Sequence, residues 1–98
     1  MILNGKAKDN FFQWWENKIK LDKFQYFKPR EDVYLNALII EWLDSVGIYI
    51  NTTYEDYQSL NIRTWIVWIN EYLLIDFKTR QEATKQAIIK ANDIYNGL

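Results

Sequence analysis

Histidine and cysteine are both missing from this chain. Without cysteine there can be no disulfide, no thiolate nucleophile and no cysteine metal ligand. Without histidine there is no Ser-His triad, no imidazole general base and no His-ligated metal. Glycine occurs three times and proline once. The three glycines stand far apart, so no glycine-rich phosphate loop exists. No apolar run approaches the ~18 residues that suggest a membrane span. The start, Met1-Ile2-Leu3-Asn4-Gly5-Lys6, lacks the apolar stretch of a secretory signal. A cytoplasmic location with no membrane partner is the expectation. Charge of neither sign dominates: 12 basic residues face 13 acidic ones, for a net charge of −1. That balance disfavours a globally basic nucleic-acid binder.

The remaining acid–base inventory is carboxylate: Glu41 and Asp44, Glu55 and Asp56, and Asp76. None is matched with a plausible nucleophile, and no calcium-loop spacing is present. The expectation is a non-enzyme with no cofactor and no metal site.

What the chain does have is apolar and aromatic bulk. Hydrophobic residues make up 49% of its 98 positions, with five Trp, seven Tyr and five Phe. Such a chain can bury enough surface to offset its ordering entropy. One domain over residues 1–98 is expected. It would comprise an aromatic, basic helical segment at 1–28 and an α-β-β-β-α core at 29–98.

Asn10 and Gln13 can form a capping box that opens a helix from Phe11 to about Lys20. An aromatic connector of Leu21, Phe24, Tyr26 and Phe27 follows. Pro29 suits the first turn of a second helix, with Glu31 and Asp32 near its positive end. Leu35, Leu38, Ile39, Trp42, Leu43 and Val46 then recur at helical spacing, and Gly47 supplies a left-handed stop. Ile48 to Tyr54 reads as a strand and Glu55 to Asn61 as a polar loop. Ile62 to Ile69 is the strongest strand. Tyr72 to Phe77 follows after a turn at Asn70-Glu71. Thr79-Arg80-Gln81-Glu82 is a second capping box, ahead of a helix faced by Ala83, Ala87, Ala91, Ile94 and Leu98. The predicted class is α+β, α-α-β-β-β-α, with a three-stranded antiparallel meander packed against helices.

A two-residue turn pairs Ile69 with Tyr72, Val67 with Leu74 and Trp65 with Asp76 on one face. On the other it pairs Trp68 with Leu73, Ile66 with Ile75 and Thr64 with Phe77. The second set is apolar throughout and is expected to meet the helices, with Trp68 in the core beside Trp42. The first set is also mostly apolar, where a solvated face should be polar. Either the aromatic N-terminal segment folds across it or a partner does. Trp14, Trp15, Trp65, Val67, Ile69, Tyr72 and Leu74 are therefore the candidate partner-binding residues, because exposed Trp and Tyr are typical binding anchors.

Charge is uneven along the chain. Residues 1–30 hold seven basic and three acidic groups, residues 31–77 one and eight, and residues 78–98 four and two. Basic ends packing near an acidic middle is one reading. The other is a basic patch from Lys18, Lys20, Lys23, Lys78, Arg80 and Lys85, usable for phosphate or an acidic partner.

From Tyr34 to Tyr95 the order helix, three strands, helix resembles the double-stranded-RNA-binding fold. The run Lys78-Thr79-Arg80-Gln81-Glu82-Ala83-Thr84-Lys85-Gln86-Ala87 is similar to the basic start of that family's last helix. The resemblance implies phosphate contacts from Lys78, Arg80 and Lys85. Against it, the first helix of the unit carries Glu31, Asp32, Glu41 and Asp44, and Glu55-Asp56 stand where that family uses a Gly-Pro-X-His-type loop. Phosphate contacts need the opposite sign.

Tyr34-Leu35-Asn36-Ala37-Leu38-Ile39-Ile40-Glu41-Trp42-Leu43-Asp44-Ser45-Val46-Gly47-Ile48-Tyr49-Ile50 resembles small uncharacterised proteins of gut Bacteroidales and their phages. So does Phe77-Lys78-Thr79-Arg80-Gln81-Glu82-Ala83 running into Ile94-Tyr95-Asn96. This resemblance implies a product of a phage or mobile element. The functional expectation is a small protein-interaction module, with a host protein as one partner and a homodimer as another. A nucleic-acid binder is the alternative.

Overall fold

The computed structural model describes residues 2–22 and 33–98, with side chains described at 2–18 and 35–98. The elements are α1 (Gly5–Asp22), α2 (Val33–Ser45), β1 (Ile50–Tyr57), a 3-10 turn (Gln58–Leu60), β2 (Ile62–Ile69), β3 (Tyr72–Phe77) and α3 (Arg80–Asn96). The strands form one antiparallel sheet in the order β1-β2-β3. The architecture is therefore α+β with the predicted element order. Lys23, Phe24, Tyr26, Phe27, Pro29, Glu31 and Asp32 lie outside the described residues.

Local chemistry explains most element ends. Thr79 is extended at φ −132°, ψ 156°, and its hydroxyl accepts the Glu82 N–H at 3.1 Å, which caps α3. Gly47 takes φ +84° after α2. The Ile48 N–H then reaches the Leu43 carbonyl at 2.9 Å and the Gly47 N–H reaches Asp44 at 3.2 Å. This is the paired-bond helix stop that glycine permits, and Leu43 and Ile48 are both buried beside it. Asn70 turns the β2–β3 hairpin at φ +52°. Its side chain accepts the Tyr49 N–H at 2.8 Å and donates to the Gly47 carbonyl at 3.2 Å. One asparagine thus joins the hairpin turn to the α2–β1 turn.

Two boundaries differ from expectation. Helix α1 starts at Gly5 rather than Phe11. The capping box at Asn10 does not form, because Asn10 lies inside the helix; its side-chain amide donates to the Tyr95 hydroxyl at 2.6 Å. The helix entry is held instead by a network of amides on α3. The Asn4 N–H donates to Asn92 Oδ1 at 2.9 Å, Asn92 Nδ2 returns a bond to Asn4 Oδ1 at 3.0 Å, and Asn96 Oδ1 accepts the Ala7 N–H at 2.8 Å. Asn92 is buried, so its polar atoms require these partners. Strand β1 continues through Glu55, Asp56 and Tyr57. The polar run expected as a loop is paired with Thr64, Arg63 and Ile62.

The core lies between the sheet and α3, and among the three helices. Ala83, Ala87, Ile88 and Ala91 of α3 are fully buried, as are Val67 and Ile69 of β2. Small side chains let the helix axis approach the sheet closely. Leu35, Ile39, Trp42 and Leu43 of α2 join Phe11 of α1 in the same cluster. Phe11 meets Trp42 edge-on at 5.9 Å, and Trp42 meets Tyr95 edge-on at 4.9 Å. Val46 and Leu98, expected on buried stripes, are 38% and 78% exposed. Each follows or ends its helix, where the stripe no longer faces a neighbour.

The larger correction concerns which sheet face is buried. Val67, Ile69, Trp65 and Leu74 pack inward, while Trp68, Leu73 and Ile75 point outward at 40%, 43% and 62% exposure. Helix α3 covers the face for which the N-terminal segment or a partner was the expected cover, and Trp68 is not a core residue. The physical reason is a bulge. Val67 opposes Leu74 in regular register, but Trp65 opposes Phe77 instead of Asp76. Asp76 occupies φ +74°, which inserts one extra residue into β3. An unbroken register would place Asp76 beneath the helix. The bulge exposes the carboxylate and brings Phe77 to the buried face beside Trp65.

Candidate functional site

The candidate partner-binding residues fall in three places. Val67 and Ile69 are buried beneath α3, with Trp65 and Leu74 half-buried against the same core. Trp14 and Trp15 lie half-buried on α1, Trp14 beside Phe11 at 6.0 Å. Tyr72 is the exposed member, 46% accessible at the sheet margin, with Lys90 Nζ 4.8 Å above its ring. The structure does not bring these residues together on one open surface.

The open apolar surface is the opposite face of the sheet. Alternation along each strand places Asn51, Thr53, Glu55 and Tyr57 of β1 on it, beside Ile62, Thr64, Ile66 and Trp68 of β2. Leu73 and Ile75 of β3 complete it. Ile62 and Tyr57 are 46% and 50% exposed, adding to Trp68, Leu73 and Ile75. Among these ten described residues the one charged group is Glu55, on the outer strand; the bulged Asp76 adds an exposed carboxylate beside Ile75. The central and β3 rows form an apolar surface broken by Thr64, with a mostly polar border along β1.

Sequence pattern had grouped Trp68, Ile66, Leu73 and Ile75 on one face. It assigned that face to the helices, and the structure reverses the assignment, because both faces are apolar and alternation alone does not distinguish them. Asp76 in the regular register made the other set look like the solvated one.

The alternative phosphate-binding residues are exposed at and just before the start of α3. Lys78, Arg80 and Lys85 are all solvent-accessible. Arg80 also borders an open cleft of about 560 Å³ between α2, β1 and α3, with Asn36, Ile40, Ile50 and Gln81. Lys18 is engaged elsewhere. Its ammonium donates to Glu41 at 2.7 Å and sits 5.3 Å from the Trp14 ring, linking α1 to α2. That ion pair is one place where the basic N-terminal segment meets the acidic middle of the chain. The side chains of Lys20 and Lys23 lie outside the described set. Among the described residues, no group of three or more metal-ligating side chains comes together. No described helix is long and apolar enough to cross a membrane.

No family model matches the chain, and no curated protein or solved structure matches it either.

Proposed function

We propose that this chain is a protein-interaction module and that the outer face of its sheet is the binding surface. One observation carries the reading. Trp68, Leu73, Ile75, Ile62 and Tyr57 stand 40–62% exposed together on one face. From typical areas for large side chains, they present on the order of 500 Å². A patch of that size is at the upper end for a monomer and is often functional. None of the ten described residues of the face is a cation, which favours an apolar protein surface over nucleic acid, since phosphate recognition rests on clustered cations. The resemblance to phage-borne proteins of gut Bacteroidales makes a host protein in the cytoplasm one such partner.

The test places a photo-cross-linking amino acid at Trp68 in one variant and at Leu98 in another, inside cells. A discrete adduct from position 68, absent from position 98 and lost when Ile75→Asp is added, is the expected result. Equal labelling at both positions, or an adduct insensitive to Ile75→Asp, would remove the outer face from consideration.

A further inference from the structure

We infer that the occupant of this face is a second copy of the chain, packed sheet on sheet about a two-fold axis. The inference rests on the outer face being the binding surface.

Three features of the face support a self-complementary contact. First, its charge is low and of one sign: Glu55 lies on the outer strand and the bulged Asp76 is exposed beside Ile75 at the β3 margin. A partner selected by charge would find little to read at its centre, whereas an apolar surface complements itself. The net charge of −1 opposes association only weakly.

Second, the distribution of residues suits an isologous interface. β2 is the central strand, and its outward row holds Ile62, Ile66 and Trp68. A two-fold axis in the plane between two sheets stacks β2 on its own copy, so these side chains meet at the centre. If the axis runs across the strands, β3 also stacks on β3 and β1 on β1. Leu73 and Ile75 then meet their counterparts, and the polar β1 row forms the rim. Were the axis parallel to the strands, β3 would lie over the partner's polar β1 row. The match of apolar row to apolar row selects the first arrangement. An apolar core with a polar rim is the usual anatomy of such contacts. The result is an aligned β-sandwich with sheets roughly 10 Å apart.

Third, the area is sufficient. The five most exposed apolar side chains offer on the order of 500 Å² per copy, and Thr64 of the central row with the rim of Asn51, Thr53 and Glu55 adds to it. The sum approaches the roughly 800 Å² per partner of a standard interface.

Sedimentation equilibrium of the full chain, from about 1 to 100 µM, tests the inference; interfaces of this class begin at micromolar affinity. The wild type should be dimeric within that range. Ile75→Asp should weaken association at least tenfold while remaining folded. Leu98→Asp, a change at a 78% exposed position away from the sheet, should leave the dimer intact. A wild type that stays monomeric to 100 µM, with Ile75→Asp still folded, would overturn the second-copy inference and leave the face open to another protein. A dimer insensitive to Ile75→Asp, or an Ile75→Asp variant that unfolds, would overturn both the inference and the surface beneath it.

Discussion

Ile69 and Ile75 carry the same side chain on opposite faces of one sheet. Ile69 is fully buried beneath α3, and Ile75 is 62% exposed. Replacing either with alanine removes the same three carbons. At about 0.8 kcal/mol per buried methylene, the transfer term at Ile69 is about 2.4 kcal/mol. The cavity left under a close-packed helix raises the cost to about 3–4 kcal/mol. At Ile75 most of the side chain already meets water, and the loss should stay at or below about 1 kcal/mol. For a domain of this size, each kcal/mol shifts the melting midpoint by about 4–8 °C. Ile69→Ala should therefore melt at least ~12 °C below the wild type, and Ile75→Ala within ~8 °C of it. Circular dichroism melts and urea titrations check this. They should be run at low micromolar concentration, so that association contributes little to the apparent stability. Equal losses would mean that both faces are buried. A larger loss at Ile75 would mean that α3 covers the other face, and the argument from the β3 bulge would fail.

Other substitutions test the joints of the fold. Asn92→Ala removes the acceptor of the Asn4 N–H and the donor to the Asn4 side chain. It should cost about 2 kcal/mol in a urea titration, and the double variant with Asn4→Ala should cost less than the two single losses added. Gly47→Ala meets no atom within 4 Å but must hold φ +84°. The expected loss of about 1 kcal/mol would come from backbone conformation alone, read from the urea midpoint. Duplex RNA of about 16 base pairs, followed by fluorescence anisotropy, should show no steeply salt-dependent binding. Joint replacement of Lys78, Arg80 and Lys85 by glutamine should then change nothing. Binding that collapses with added salt and with those replacements would restore the nucleic-acid reading.

Much of the framework was legible because the signals were local. Gly47 stops α2, Thr79 with the Glu82 N–H opens α3, and Asn70-Glu71 turns the last hairpin. Each depends on the conformations of a few consecutive residues. The periodicity of Leu35, Leu38, Ile39, Trp42 and Leu43 identified the buried face of α2 for the same reason. Asn10 shows the limit of such reasoning. As a helix cap it would satisfy a local donor, but Tyr95, 85 positions away, takes its amide at 2.6 Å. Asn4 and Asn92 carried no local signal at all, and Asn96 only that of a helix stop with Gly97. Their amides act only because α1 and the end of α3 lie side by side.

The candidate surface divides along the same line. By itself the sequence determined the element order, the helix caps and stops, and the grouping of Trp68, Ile66, Leu73 and Ile75 on one face. These follow from steric limits on a few backbone angles and from the two-residue alternation of a strand. Which face α3 would cover was left to the tertiary structure. With two apolar faces, alternation is symmetric. The choice fell to the Asp76 bulge, which keeps a carboxylate out from under the helix, and to the close approach that Ala83, Ala87 and Ala91 allow over Val67 and Ile69. That choice exposed Trp68, Leu73 and Ile75, because α3, the helix that packs on the sheet most extensively among the described elements, covers the opposite side.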